Sequence, residues 1–92
     1  MSEVRRTCTI VNQRGLHARA SAKFVNAVAV LPGECKVVVA KDGNEAVGGS
    51  ILGLMMLGAA KGDTVDVIVS GTDADAVLDQ LCAMIDDGFG ED

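Results

Sequence analysis

The chain contains no tryptophan and no tyrosine, and it has one histidine and one proline. Without stacking rings, and with a formal charge of −5, it lacks the basic, aromatic-bearing face of a nucleic-acid binder, and no nucleic-acid partner is expected. The single histidine, His17, rules out chemistry that needs two imidazoles in one chain. Cys8, Cys35 and Cys82 form no C-x-x-C pair, so neither a zinc knuckle nor a redox dithiol is supported. No metal or cofactor is expected, and an odd number of thiols reads as reduced, buried cysteines of a cytoplasmic protein. Met1-Ser2-Glu3-Val4-Arg5-Arg6 leads into no apolar segment of the kind a secretory signal needs. No apolar run approaches the roughly 18 residues of a membrane span, so no membrane insertion is expected.

Ninety-two residues, 49% of them hydrophobic and 23% charged, describe one globular domain over residues 1–92. A domain of this size buries roughly 60–65% of its unfolded surface, so its core is a thin, strictly patterned layer. The charge is divided unevenly. Residues 1–41 carry seven basic and two acidic side chains, whereas residues 42–92 carry Lys61 against eleven acids. This split is either accident with a solubilising acidic tail or a basic face that would steer encounter with acidic partner surfaces, and the composition leaves both open.

Arg6, Cys8 and Ile10 alternate with Thr7, Thr9 and Val11, the period of a half-buried strand. Asn12-Gln13-Arg14-Gly15 is a polar loop. From His17 to Val30 the pattern is helical, with Ala20, Phe24, Val25 and Val28 on one stripe, and Pro32 stops it. Cys35, Val37 and Val39 mark a second strand, and Asp42-Gly43 supplies the positive φ of a hairpin turn into a third over 44–47. Ser50 is placed to cap a short helix over 51–57. Val65, Val67 and Val69 mark a fourth strand. Asp73 is placed to cap a last helix striped by Ala74, Val77, Leu78, Leu81 and Ile85, after which Gly88-Phe89-Gly90-Glu91-Asp92 reads as a frayed end. The order β-α-β-β-α-β-α predicts an α+β open-faced sandwich: a four-stranded antiparallel sheet with three helices on one face.

His17 follows a glycine-containing loop and directly precedes the first helix. The positive end of the helix dipole there favours the neutral, nucleophilic imidazole. A phosphoryl group on that ring would lie beside the unpaired N–H groups of the first turn, including those of Ala18 and Arg19. The Arg19 guanidinium, two residues on, suits the same oxygens. These groups suffice for a covalent phosphoryl relay and fall short of a hydrolase triad. The same spacing also suits a histidine that merely caps a helix beside a solvated arginine, and the residues alone leave both readings open. Ile51, Leu52, Leu54, Met55, Met56 and Leu57 are apolar around nearly the whole circumference of their short helix, which is either all core or part core and part docking patch.

Gly15-Leu16-His17-Ala18-Arg19, followed by Ala20-Ser21-Ala22 and Lys23-Phe24-Val25, resembles the active-site segment of the HPr family, the histidine-containing phosphocarriers of the bacterial phosphoenolpyruvate-dependent phosphotransferase system. The block from Ser50 to Gly62 resembles the family's other hallmark, and the likeness extends over nearly the whole chain. The resemblance implies that His17 accepts phosphate on its δ1 nitrogen from phospho-enzyme I and passes it to an enzyme IIA-type acceptor. It makes Arg19 the phosphate-positioning residue and matches Ser50 to the serine phosphorylated by HPr kinase/phosphorylase in some bacteria. Ala18, Lys23, Ile51, Leu52 and Met55 match the partner-docking side. Where family members usually have proline this chain has Ala20, which holds the same first-turn backbone. The Gly88–Asp92 ending and the Leu54-Met55-Met56-Leu57 run resemble the nitrogen-related branch. Such a protein is a stoichiometric carrier and not an enzyme. The alternative is a regulatory protein-binding module that keeps the scaffold and acts by docking alone. A small acylphosphatase-like enzyme fits the size but lacks a second phosphate-cradling loop.

Overall fold

Val65, Val67 and Val69 are almost completely buried, while Asp66, Ile68 and Ser70 between them keep part of their surface. That alternation is the signature of a sheet covered on one face only. A computed structural model describes residues 3–31 and 34–91. It contains strands β1 (Glu3–Thr9), β2 (Cys35–Lys41), β3 (Asn44–Val47) and β4 (Thr64–Gly71) and helices α1 (Ala18–Ala29), α2 (Ile51–Met56) and α3 (Ala74–Asp86), with a short 3₁₀ turn at Gly88–Gly90. The expected helix stop at Pro32 and the chain ends at Met1, Ser2 and Asp92 lie outside the described residues. Among the described residues no helix is long and apolar enough to cross a membrane.

The four strands form one antiparallel sheet in the order β1-β4-β2-β3. Register puts Val4, Arg6 and Cys8 opposite Val69, Val67 and Val65, and Val37 and Val39 opposite Val69 and Val67. The helices cover this face, and Phe24, Leu54, Leu81 and Ile85 fill the space between the layers. Burial of each such side chain contributes about 1.5–3 kcal/mol. The opposite face stays open, and on it Asp66 accepts from Thr7 Oγ1 at 2.6 Å and from Arg5 Nη2 at 3.2 Å. Arg6 points to the helical face and escapes burial by reaching Asp79 on α3, Nη2 to Oδ1 2.6 Å.

Three expectations are corrected. Asp73 stands at the start of α3 but in the left-handed region, φ 55°, and its side chain makes no cap. The helix is held instead by its packed stripe, Ala74, Val77, Leu78, Leu81, Cys82 and Ile85. Cys8 and Cys82 are buried as expected, but Cys35 is only half-buried, and its Sγ donates to the Thr72 carbonyl at 2.8 Å. The segment after α3 does not fray. Gly88, Phe89 and Gly90 all take positive φ, curling the chain so that Phe89 is buried beneath α3 and Glu91 is carried back to the start of α1.

Candidate functional site: the loop before the first helix

Gly15 sets up the histidine. Its φ of +63° turns the chain sharply against the loop after α2, where Leu16 N–H donates to the Ala59 carbonyl at 2.9 Å. A Cβ at position 15 would overlap that carbonyl oxygen, so the close approach requires glycine. Leu16 is buried, and His17 follows in extended geometry (φ −77°, ψ −178°) as the N-cap of α1. The first helical bond runs from Ser21 N–H to the His17 carbonyl, 2.9 Å. Ring nitrogen Nδ1 accepts from the Arg19 backbone N–H at 3.3 Å, and Nε2 lies 2.8 Å from Glu91 Oε2. Both the capping and the chemical readings of His17 are therefore compatible with its place: the ring caps weakly through the same nitrogen that faces the open N–H groups of the first turn.

Around it the charges are asymmetric. A cavity of about 420 Å³ is lined by Gln13, Arg14, Arg19, Lys23, Gly90 and Glu91. Three of these side chains are cationic and one is anionic, so the cavity suits a small anion beside the imidazole. Arg19 is exposed on the first turn of α1, as the sequence suggested. Lys23, expected among docking residues, is engaged by the chain's own end: Nζ donates to the Phe89 carbonyl at 2.7 Å. The Glu91 carboxylate is held below its usual range, chiefly by the Asn12 amide and then by His17.

Ser50 caps α2, its Oγ accepting from Gly53 N–H at 2.9 Å. Within α2, Leu54 is fully buried while Leu52 and Met56 are 67% and 77% exposed and Ile51 and Met55 each 40%. The helix is thus part core and part apolar surface, and it packs against α1. Ala18 is likewise exposed at the head of α1.

The sequence reading missed Asn12 and Glu91. Asn12 was placed in a polar loop, yet it is 1% exposed, and its Nδ2 donates to the Gly15 carbonyl at 2.8 Å and to Glu91 Oε1 at 3.1 Å. Glu91 lies 74 positions from His17, beyond the reach of any local pattern. The only signal was Gly-Phe-Gly ahead of an acid, which a bend needing repeated positive φ would favour.

A histidine at a helix N-terminus of a four-stranded α+β sandwich, with three cationic side chains around an adjoining open cavity, is an arrangement suited to a phosphoryl or other small anionic group. The sequence pattern described as the PTS HPr component phosphorylation site matches residues 4–87. The chain is 37% identical over 91 residues to the phosphocarrier protein NPr of Shewanella violacea, covering 99% of this chain and 98% of that protein. It is 39% identical over 88 residues to the phosphocarrier protein HPr of Cupriavidus necator, covering 96% and 97%. The crystal structure of HPr-C-His from Thermoanaerobacter tengcongensis superposes with a TM-score of 0.86 at 35% identity, covering 100% of this chain and 99% of that one. The chain belongs to the HPr family of phosphotransferase-system phosphocarriers.

Proposed function

We propose that this protein carries a phosphoryl group on His17, receiving it from phospho-enzyme I and passing it to an enzyme IIA-type acceptor. The observation that supports this best is the ring itself. Nδ1 accepts a backbone N–H at the head of α1, so its lone pair points into a region of unpaired donors. A phosphoryl group there would take up the Ala18 N–H and the Arg19 N–H that Nδ1 releases when its lone pair bonds phosphorus. The Arg19 guanidinium, on the wall of the same cavity, neutralises its charge. The protein acts stoichiometrically, its partners supplying the catalysis, and it works in the cytoplasm.

The exposed flank of α2, Ile51, Leu52 and Met55, together with Ala18 and Lys23, forms the docking side for both partners. Flexible methionines suit one surface to several partners. Ser50, capping the same helix, is the site at which HPr kinase/phosphorylase would add charge beside the docking face and weaken binding. Similarity to NPr and to HPr proteins leaves the nitrogen-related branch as the proposed setting, on the strength of the Gly88–Asp92 ending.

The test is a two-stage transfer. The protein labelled by enzyme I and phosphoenolpyruvate is mixed with an enzyme IIA domain, and label is expected to move to the acceptor. Arg19→Ala is expected to slow both stages with the fold intact. Retention of label on the carrier refutes the relay, and an unchanged Arg19→Ala rate refutes the role given to that side chain.

A further inference from the structure

The turn after α3 is tightly specified. Three successive residues, Gly88, Phe89 and Gly90, take positive φ, and Phe89 does so at 58° with a side chain that is not glycine. Such a backbone costs free energy and persists only where surrounding contacts over-determine it. The contacts are present. Phe89 is 3% exposed, its carbonyl accepts from Lys23 Nζ at 2.7 Å, and Glu91 N–H donates to the Gly88 carbonyl at 3.0 Å. Their combined effect is to place one carboxylate, that of Glu91, between two side chains. Oε1 accepts from Asn12 Nδ2 at 3.1 Å and Oε2 meets His17 Nε2 at 2.8 Å. Asn12 is itself buried and anchored on the Gly15 carbonyl at 2.8 Å, so it cannot follow a wandering tail.

Two independent bonds specify the same state of the imidazole. The Arg19 backbone N–H can only donate, so Nδ1 is an acceptor and carries no proton. The Glu91 carboxylate, lowered from its ordinary range by Asn12 and His17, is ionised at neutral pH and only accepts, so the ring proton sits on Nε2. We propose that Glu91 is the positioning residue of His17: its carboxylate fixes the ring proton on Nε2, leaves Nδ1 as the attacking nitrogen, and serves as counter-ion to the ring once Nδ1 is phosphorylated. This rests on the carrier function proposed above.

The step balances without proton transfer. The Nδ1 lone pair forms the N–P bond while the bond from phosphorus to the donor atom breaks, its electron pair leaving on the donor. Nε2 keeps its proton, so the phosphorylated ring becomes cationic, and the Glu91 carboxylate at 2.8 Å offsets that charge. Onward transfer returns the N–P pair to Nδ1 and the ring to neutrality. A counter-ion on the far nitrogen therefore serves both directions, which a reversible carrier requires. A carboxylate that merely latched the tail would leave the ring chemistry unaffected.

The test uses the full chain and two readouts. Because His17 is the only histidine, ¹⁵N and ¹H NMR of the unphosphorylated protein reports one ring. The wild type is expected to show a proton on Nε2 protected from exchange with water, and Glu91→Ala is expected to lose that protection. Transfer rates to and from His17 are expected to fall by about tenfold in Glu91→Ala, by analogy with the loss on removing the outer hydrogen-bond partner of a metal-ligating histidine. Glu91→Gln, which keeps a carbonyl acceptor but no charge, is expected to retain the protected proton and still transfer slowly. An Nε2 proton in the wild type that exchanges as fast as in Glu91→Ala overturns the proposal, and so do wild-type transfer rates in both variants. Absence of any label on the wild type overturns the carrier function instead, and the NMR signature separates that failure from this one. Urea unfolding of each variant keeps a loss of folding from passing for a loss of positioning.

Discussion

Replacing Gly15 by alanine isolates the contact that aims His17. Three costs combine. A residue with a Cβ in the left-handed region, φ +63°, loses about 1 kcal/mol relative to glycine. The new Cβ would overlap the Ala59 carbonyl oxygen and lie 2.9 Å from Ala60 Cα, and both are backbone atoms that cannot swing aside. Relief requires the loop to lift, surrendering the 2.9 Å Leu16 N–H to Ala59 bond, a further loss of about 1 kcal/mol. Part of the burial of Leu16 goes with it, roughly another 1 kcal/mol. Gly15→Ala should therefore destabilise the fold by about 2–4 kcal/mol. Gly43→Ala is the control: its φ is +83°, yet no heavy atom lies near a Cβ there, so only the first cost applies, about 1 kcal/mol. Urea unfolding of the three proteins with a common m-value gives the difference directly. For a domain of this size it corresponds to a melting midpoint for Gly15→Ala lower than that of Gly43→Ala by about 5–15 °C. Equal stability of the two variants would refute the steric argument, and with it the claim that the loop before α1 is set by contact with Ala59.

Removing the Ser50 hydroxyl should cost about 1 kcal/mol in Ser50→Ala through loss of the Gly53 cap, while Ser50→Asp should retain most of it; equal unfolding midpoints for wild type and Ser50→Ala would refute the cap. Burial, with the Cys82 sulfur beside it, pushes the Cys8 thiol up to about 12 from an ordinary 9.0. The folded state thus keeps this proton where the unfolded chain has lost it, so stability falls as pH rises from 9.0 towards about 12. That part of the alkaline slope in urea titrations should vanish in Cys8→Ala, and identical slopes would refute it. Half-buried Cys35 should react with a thiol reagent in the native protein well before buried Cys8 and Cys82; simultaneous labelling of all three would contradict the packing.

What could be read from the residues had local causes. The alternation of Val65, Val67 and Val69, the Asp42-Gly43 turn, the Ala20–Phe24 stripe and the Ser50 cap each depend on neighbours a few positions away, and each appears where expected, with element ends shifted by a residue or two. A glycine loop opening a helix marked out His17 and Arg19 in the same way, but the residues left capping and relay both open, and only the resemblance to the HPr family favoured the relay. Asp73 misled because a good capping side chain says nothing about φ, and here the entry into α3 is left-handed. Asn12 and Glu91 were invisible for a different reason. A polar loop and a frayed segment were expected there, whereas Asn12 is buried and Glu91 half-buried, joined to each other by a turn that brings position 91 back to the start of α1. The place of His17 and Arg19 at the head of α1 was legible, and the contact of Glu91 with the far ring nitrogen was not.

The central claim, that His17 is the phosphoryl acceptor, is tested most directly by intact mass after incubation with enzyme I, Mg²⁺ and phosphoenolpyruvate. The expected result is a single added phosphoryl group, acid-labile and base-stable, on the wild type and none on His17→Ala. An unmodified wild type in the presence of competent enzyme I, or a His17→Ala protein that still gains the group, would contradict it.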